Sequence, residues 1–160
     1  AGRPSGIQMK LNSLLDEEFV EALYEASQAG VKVEIVVRGI CSLRPGIVGL
    51  SENITVRSIL GRFLEHSRIY HFVSGGDDEF WIGSADLMHR NLDRRVESLV
   101  RIERPAHKAS LQEVFDLSLS EETASWHQDQ DSWKNVTKNS KGEPLQDLQS
   151  LYIKRYKKAH

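Results

Sequence analysis

Apolar and polar positions in the first part of the chain change from an alternating pattern to a helical one and back again. The alternation over 7–11 predicts a short strand, and the β-branched run over 31–37 predicts a second one. Between them apolar residues recur at helical spacing, from an N-cap at Asp16 to a stop at Gly30. A strand, a helix and a strand in this order predict a βαβ unit whose two strands are parallel.

The middle of the chain continues the sheet. Residues 54–59 predict a third strand, and residues 60–65 predict a short helical turn after it. The run over 69–73 suits a strand buried on both faces, and 80–82 forms its return strand. Residues 74–78 lie between these two runs and supply the Gly and Asp residues that a turn requires.

The last part of the chain carries weaker patterns. Residues 96–102 alternate as a strand does, and residues 107–119 have an apolar helical face. Residues 126–136 contain two tryptophans and little periodicity, so they predict either a strand or a packed loop. Pro144 is placed at the first position of a final helix. Together these elements predict an α/β fold in which a mixed β-sheet is flanked by helices.

Length and composition favour one globular domain. The chain has 160 residues, of which 39% are hydrophobic and 28% are charged, and a chain of this kind can bury a proper core. We expect residues 1–6 to form a flexible leader and residues 7–160 to form the domain. The small, polar start without an initiator Met indicates a piece excised from a longer protein.

Charge and cysteine content narrow the classes of partner and compartment. The net charge of -2 gives no global basic field for nucleic acid, so a polyanion site must be a local basic cluster. Cys41 is the only cysteine, which excludes an internal disulfide and a cysteine-based zinc site and fits a reducing compartment. No apolar run is long enough for a membrane span, so we expect a cytoplasmic protein, with membrane association left open.

Polar residues follow the first two predicted strands. Asn12 and Ser13 follow the first strand, and Arg38 follows the second. Because ligands of open α/β sheets bind beyond the carboxyl ends of the strands, we expect these residues at the mouth of a site. Arg38 is on these grounds either a phosphate ligand or a surface charge. Arg44 lies in a loop over 41–49 that either folds over the site or is a plain connector.

A second group of polar residues surrounds the predicted hairpin. His66 and Arg68 lie two positions apart before its first strand, so we expect their side chains to point to the same side. The residues after the return strand that we expect to line the pocket are Ser84, Asp86, Arg90 and Asn91. An imidazole, guanidinium groups and turn amides at one sheet edge are what phosphoryl transfer needs around its spreading negative charge. A histidine taken alone is more often structural.

Several other signatures are absent from the sequence. It contains no GxxxxGK[ST] phosphate loop, no GxGxxG after a strand and no HExxH. His66, His71 and His89 share one stretch without the carboxylate spacing of a zinc site, so we predict no metal ligand in this chain.

The stretch from Phe63 to Glu97 resembles the phospholipase D superfamily. It has a His-x-basic pair leading into a strand, and a Gly-Ser pair with a nearby Asp after the return strand. Arg68 stands where that superfamily usually has Lys, and Val73 stands where an Asp is expected. Since Arg offers a bidentate fork to phosphate, the first change suits phosphate binding, although not identical chemistry.

A closer resemblance appears when the preceding segments are included. The segments KLNSL (10–14), ALYEASQAGVKV (22–33), VRGICSLRPG (37–46), FLEHSR (63–68) and SADLMHRN (84–91) run in order along the chain. As a set they look like the C-terminal phospholipase-D-like domain of bacterial polyphosphate kinase.

This resemblance implies one half of a pseudo-dimeric catalytic unit, in an enzyme that moves the terminal phosphate of ATP reversibly onto polyphosphate. It implies that the phosphorylated His and most Mg²⁺ contacts lie in a preceding domain outside this sequence. His66 matches the family's second active-site His, which contacts the phosphate region and acts as acid, base or transition-state donor. Arg38 would then hold the ATP phosphates, with Arg68 as a supporting cation.

The partners implied are ATP or ADP, inorganic polyphosphate, the preceding domain of the same chain and, for the full-length enzyme, further copies in a homo-oligomer. We expect the isolated chain to fold without making polyphosphate. Two other functions stay open. A phosphodiesterase or nuclease of the phospholipase D superfamily would use His66 as a covalent nucleophile in a homodimer. A non-catalytic polyanion-binding module would need only the basic loops.

Overall fold

One open sheet of eight strands and four helices make up residues 2–159, the part of the chain described by the computed structural model. In chain order the elements are β1 (Ser5–Leu11), α1 (Glu17–Gln28), β2 (Lys32–Val37), β3 (Ile54–Ser58), β4 (Ile69–Ser74), β5 (Asp77–Gly83), α2 (His89–Asp93), β6 (Leu99–Ile102), α3 (Pro105–Ser118), β7 (Ser125–Asp129), β8 (Ser132–Val136) and α4 (Leu148–Ala159). The predicted mixed α/β class is confirmed.

The sheet has a parallel centre and antiparallel flanks, in the order β6-β5-β4-β1-β2-β3-β7-β8. β1, β2 and β3 run parallel, with Met9 opposite Ile35, so the predicted βαβ unit is confirmed. β4 runs antiparallel to β1, and β5 and β6 continue that flank. The ends of β1, β2, β3 and β5 and the starts of β4 and β6 therefore share one edge of the sheet, which we call the carboxyl edge.

Apolar side chains cover both faces of the sheet. On one face α1 adds Leu23 to a buried cluster that includes Ile35. On the opposite face Phe115 of α3 belongs to a second cluster, and Leu148 of α4 packs with Val36 in a third. Because neighbouring strand residues such as Ile35 and Val36 face opposite sides, a continuous apolar run in β2 serves both layers.

Helix α1 begins and ends where its sequence signals predict. The Asp16 side chain accepts a hydrogen bond from the Phe19 amide at 3.1 Å, which satisfies one free amide of the first turn. Gly30 ends the helix with a φ of +84°, a conformation that a residue with a Cβ rarely adopts. This helix fixes the spacing between β1 and β2, and so the meeting of their carboxyl ends.

Three predictions near the ends of elements are wrong. Ser5 and Gly6 were expected in a flexible leader but belong to β1, because their backbones pair with β4 on one side and, for Gly6, with β2 on the other. Residues 60–65 form no helical turn and run as an irregular segment into β4. The final helix begins at Leu148 rather than Pro144, since Asp147 accepts the Ser150 amide at 2.8 Å and Pro144 lies in an isolated bridge.

The remaining differences concern weakly patterned stretches. Residues 89–93 form the short helix α2, for which no element was predicted, and the strand predicted over 96–102 begins only at Leu99. Residues 126–136, left open between strand and loop, contain the hairpin of β7 and β8. Among residues 2–159 no helix has both the length and the apolar character needed to cross a membrane.

Candidate functional site

Asp86 is the hub of a polar cluster at the carboxyl edge. It follows β5 and is 5% exposed, and its Oδ1 accepts hydrogen bonds from the backbone amides of Asn12 at 2.7 Å and Ser13 at 3.2 Å. These amides are the first after β1, so one carboxylate joins the end of β1 to the end of β5. The sequence placed all three residues at this edge, but it did not predict that the acceptor would bind backbone amides.

Arg68 joins the segment before β4 to the same carboxylate. Its Nη2 lies 2.8 Å from Asp86 Oδ2 and its Nε lies 3.3 Å from Oδ1, while Nη1 donates to the His66 carbonyl at 2.7 Å. Burial raises the pKa of Asp86, but the Arg68 guanidinium and the amides of Asn12 and Ser13 together hold it below its ordinary value. A lysine could not make this forked pair, which explains in physical terms why an arginine suits position 68.

Arg38 reaches the cluster from the end of β2. Its Nε donates to Asn12 Oδ1 at 2.9 Å, and its backbone amide donates to the Leu11 carbonyl at 3.1 Å. The next residue is Gly39, at which a Cβ would lie only 2.9 Å from the Asn12 carbonyl oxygen. A side chain there would push the two strand ends apart, so this glycine allows Arg38 and Asn12 to meet.

Two further charges at this edge escaped prediction. Lys10 is 6% exposed in β1, and its Nζ lies 2.7 Å from Oε1 of Glu65. Burial by itself raises the pKa of Glu65, but Lys10, Ser67 and Arg38 together hold it below its ordinary value. The signal available in the sequence was Lys10 itself, because a lysine within a strand that is buried at this end has to find a partner.

His66 is exposed, beside the Glu65 carboxylate and the Arg68 guanidinium in sequence. Its backbone carbonyl is fixed by Arg68, whereas its imidazole forms no hydrogen bond with any other residue within 2–159. The ring is therefore exposed and unpaired among these residues, and its role toward a ligand stays a prediction. His66 precedes β4 rather than lying in it, so strand alternation does not decide where its side chain points.

The other expected pocket residues have partners elsewhere or lie apart. The Ser84 hydroxyl donates to Glu97, and Asn91 Nδ2 donates to the same carboxylate at 2.7 Å, so the end of β5 and helix α2 are both tied to the segment before β6. Arg90 is exposed on α2 without a contact to Asp86. Arg44 lies 2.6 Å from Asp131 in the turn between β7 and β8, which directs its side chain away from the cluster.

The carboxylates of the cluster do not suit Mg²⁺. Both oxygens of Asp86 already accept from Arg68 and from backbone amides, and Glu65 is paired with Lys10. Over residues 2–159 no three His, Cys, Asp or Glu side chains are grouped closely enough to hold a metal ion. What the arrangement offers instead is positive charge and hydrogen-bond donors, which suit an anion such as a phosphate group.

Large exposed apolar side chains lie near the strand ends that form the carboxyl edge. They lie after β2, after β3, in α2, before β6 and at the first residue of β6. We call them the apolar rim: Ile40, Leu60, Phe63, Leu64, Leu92, Val96 and Leu99. Val96 is fully exposed, and the other members are at least 40% exposed.

Comparisons with known proteins agree with this architecture. The chain matches the family described as polyphosphate kinase C-terminal domain 2 over residues 1–149. It is 55% identical to the polyphosphate kinase of Streptomyces coelicolor over 154 residues, which are 96% of this chain and 21% of that protein. The chain thus spans about a fifth of the length of the curated relatives it matches.

Two solved structures share the fold of this chain. The polyphosphate kinase of Porphyromonas gingivalis superposes with a TM-score of 0.87 at 33% identity, covering 99% of this chain and 25% of that one. Nuc, a phospholipase D family member from Salmonella typhimurium, superposes with a TM-score of 0.54 at 16% identity and covers 84% of each chain, which shows a shared fold. The chain therefore belongs to the polyphosphate kinase C-terminal domain 2 family.

Proposed function

We propose that this chain is the part of a polyphosphate kinase that holds phosphate groups of ATP and of the polyphosphate chain. The observation that carries this proposal is the meeting of Arg38 and Arg68 around Asn12. Arg38 bonds its side chain, and Arg68 reaches its backbone through Asp86. Two guanidinium groups that share one neighbour at a sheet edge provide the fixed positive charge that phosphoryl transfer requires.

Each cation has a different share in this proposal. Arg38 uses only its Nε on Asn12, so its two terminal nitrogens remain to bind ATP phosphates. Arg68 spends most of its fork on Asp86 and His66 and acts as a supporting cation and a brace. His66 contacts the phosphate undergoing transfer, as a proton donor, proton acceptor or hydrogen-bond donor in the transition state.

The remaining parts of the reaction belong to the rest of the longer enzyme. The phosphohistidine and most contacts to Mg²⁺ lie in a preceding domain, which covers the apolar rim and closes the pocket from the other side. The enzyme moves the terminal phosphate of ATP reversibly onto polyphosphate, and it assembles as a homo-oligomer. The apolar rim supports this division, since it leaves hydrophobic side chains exposed around a polar centre.

The test is calorimetric binding of tripolyphosphate to the 160-residue chain at low salt. We expect Arg38→Gln and His66→Ala each to weaken binding about fivefold, equivalent to roughly 1 kcal/mol for a lost contact. Arg101→Gln is the matched control, because Arg101 pairs with Glu79 on the surface of the β5–β6 flank at 3.0 Å. Equal effects of Arg101→Gln and Arg38→Gln would contradict a specific site.

Activity measurements separate the other functions. The isolated chain should show no ATP-dependent polyphosphate synthesis, and synthesis would contradict the division of labour between domains. Hydrolysis of a chromogenic phosphodiester that disappears in His66→Ala would instead indicate a homodimeric phosphodiesterase. Tripolyphosphate binding that falls with salt but is indifferent to His66→Ala would indicate a non-catalytic polyanion-binding module.

A further inference from the structure

Lys10 is a charged side chain in the middle of the sheet. It belongs to the central strand β1, opposite Val36 of β2 and Ile69 of β4. Its side chain is 8% exposed, and an ammonium group taken out of water to this extent is costly unless it is paired. The position is therefore unfavourable for stability alone, and an apolar residue would fit the surrounding sheet better.

The partner of Lys10 is the residue immediately before His66. Glu65 Oε1 lies 2.7 Å from Lys10 Nζ and 2.7 Å from the Ser67 hydroxyl. Glu65 lies in the irregular segment between β3 and β4, in which Leu60 and Leu64 are exposed. The carboxylate is thus an inward contact next to His66, whereas Gln149 holds the same segment further back, at the Phe63 amide and carbonyl, both at 2.8 Å.

A second tether holds the same segment on the other side of His66. Arg68 Nη1 donates to the His66 carbonyl at 2.7 Å, and Arg68 is itself fixed by Asp86. Asp86 binds the amides of Asn12 and Ser13, which directly follow β1. Both tethers therefore end on β1 or at its carboxyl end, and the backbone of His66 lies between them.

We propose that Lys10 is a positioning residue for His66, acting through the Glu65 carboxylate. The Lys10–Glu65 ion pair fixes the backbone on the amino side of His66, so that the imidazole is presented at the carboxyl edge without touching Lys10. A ring that has no hydrogen-bond partner within residues 2–159 needs such fixed backbone on both sides. The consequence for phosphate binding rests on the proposed function of His66.

The first experiment measures the order of the His66 ring directly. In the paired variant Lys10→Met with Glu65→Met both charges are removed together, which buried ion pairs usually tolerate. Carbon-13 relaxation of the histidine Cε1–H groups should show a lower order parameter for His66, while the buried His71 serves as an internal control and stays unchanged. An unchanged His66 order parameter would overturn the proposal.

A second variant covers the case in which the paired variant does not fold. Glu65→Asp keeps the charge but shortens the side chain by one methylene, so the tether must either break or pull the segment inward. Lys10→Arg keeps a cation long enough to reach Glu65. We expect greater His66 mobility in Glu65→Asp and near-original order in Lys10→Arg; the same order in Glu65→Asp as in the original chain would overturn the proposal.

Binding of tripolyphosphate then separates positioning from a general effect. The paired variant should bind about fivefold more weakly, and adding His66→Ala to it should cause no further loss, because both changes act through one group. Losses that simply add would overturn the proposal, since Lys10 would then act independently of His66. If His66→Ala alone leaves binding unchanged, the proposed function fails, and the ring-order measurement still decides the positioning role.

Discussion

His66 and His71 lie in one short stretch of the chain, yet their surroundings are opposite. His71 is 5% exposed in β4, with Nδ1 2.9 Å from Gln8 Oε1 and Nε2 3.0 Å from Asp78 Oδ1. Its ring stacks on Phe80 with centroids 3.9 Å apart. His66 is exposed, and only its backbone carbonyl is held. The His71 ring is thus hydrogen-bonded on both sides, whereas the His66 ring is exposed to solvent and hydrogen bonds hold only its backbone.

This difference shows where hydrogen-bond donors remain available to a ligand in this fold. Both ring nitrogens of His71 have partners on neighbouring strands, and Gln8 is also bound by Gln112 of α3, which donates to it at 3.2 Å. At the carboxyl edge the carboxylates are satisfied, but Arg38 keeps unused donors and the His66 ring stays unpaired within residues 2–159. The polar groups of the first region are used within the protein, whereas the second keeps donors that suit the anion we propose.

The largest expected effect comes from removing the hub of the site region. Asp86→Ala leaves the Arg68 guanidinium and two backbone amides without their acceptor, which should lower the free energy of unfolding by about 3 kcal/mol. Asp78→Ala is the control in the His71 region, and its cost should stay below about 1 kcal/mol because that side chain is 58% exposed. Urea unfolding of both variants measures the two values, and a larger loss for Asp78→Ala would reverse the ranking.

A smaller effect tests the asymmetry of the Lys10–Glu65 pair. Glu65→Gln leaves a buried ammonium with a weaker partner, which should cost about 2 kcal/mol, whereas Lys10→Met leaves a carboxylate that water can reach and should cost less. The exposures of the two side chains, 8% and 30%, set this direction. Thermal and urea unfolding compare the variants, and equal or inverted costs would mean that the burial of Lys10 does not control the pair.

The next effect in size is an opposite response of stability and tripolyphosphate affinity to substitution of the two histidines. His71→Leu breaks hydrogen bonds in the buried network and should cost about 1 kcal/mol, while His66→Leu changes an exposed ring and should stay within about 0.5 kcal/mol. Tripolyphosphate affinity should respond the other way, falling in His66→Leu and holding in His71→Leu. The same two variants thus serve as controls for each other, and a parallel loss of stability and affinity in either one would remove the contrast.

The sequence predicted those parts of the molecule whose signals are local. Asp16 and Gly30 mark the ends of α1, and this helix sets β1 and β2 parallel, so Asn12 and Arg38 had to meet at one edge. The polar pattern after β5 likewise brought Asp86 to the same place. Local signals also misled, since Pro144 suits a helix start but the Asp147 side chain caps the helix further on.

The rest could not be read because it depends on contacts between distant parts of the chain. Lys10 and Glu65 pair across two elements, and no periodicity relates a strand residue to one in an irregular segment. Ser84 and Asn91 are polar residues in the expected stretch, yet both donate to Glu97. That contact depends on how the segment before β6 is placed in the fold. Residue type therefore indicated an anion site, while the assignment of each donor required the fold.

The smallest effect is the pH dependence of the Glu65 contribution. Burial raises the pKa of Glu65, but Lys10, Ser67 and Arg38 together lower it by more. The pKa of Glu65 in the folded state therefore lies below 4.5. A carboxyl with a lower pKa in the folded state stabilises that state fully above its unfolded pKa, and the contribution is lost as the pH falls through the folded value. The difference in free energy of unfolding between the original chain and Glu65→Gln should therefore be constant near neutral pH and shrink below pH 4.5.

Leu23→Ala, which changes only the apolar core under α1, should keep a constant difference over the same range. A Glu65→Gln difference that stays constant down to about pH 3 would show that the carboxylate is not held by these cations, and the contrast with the closed His71 network would lose its electrostatic basis.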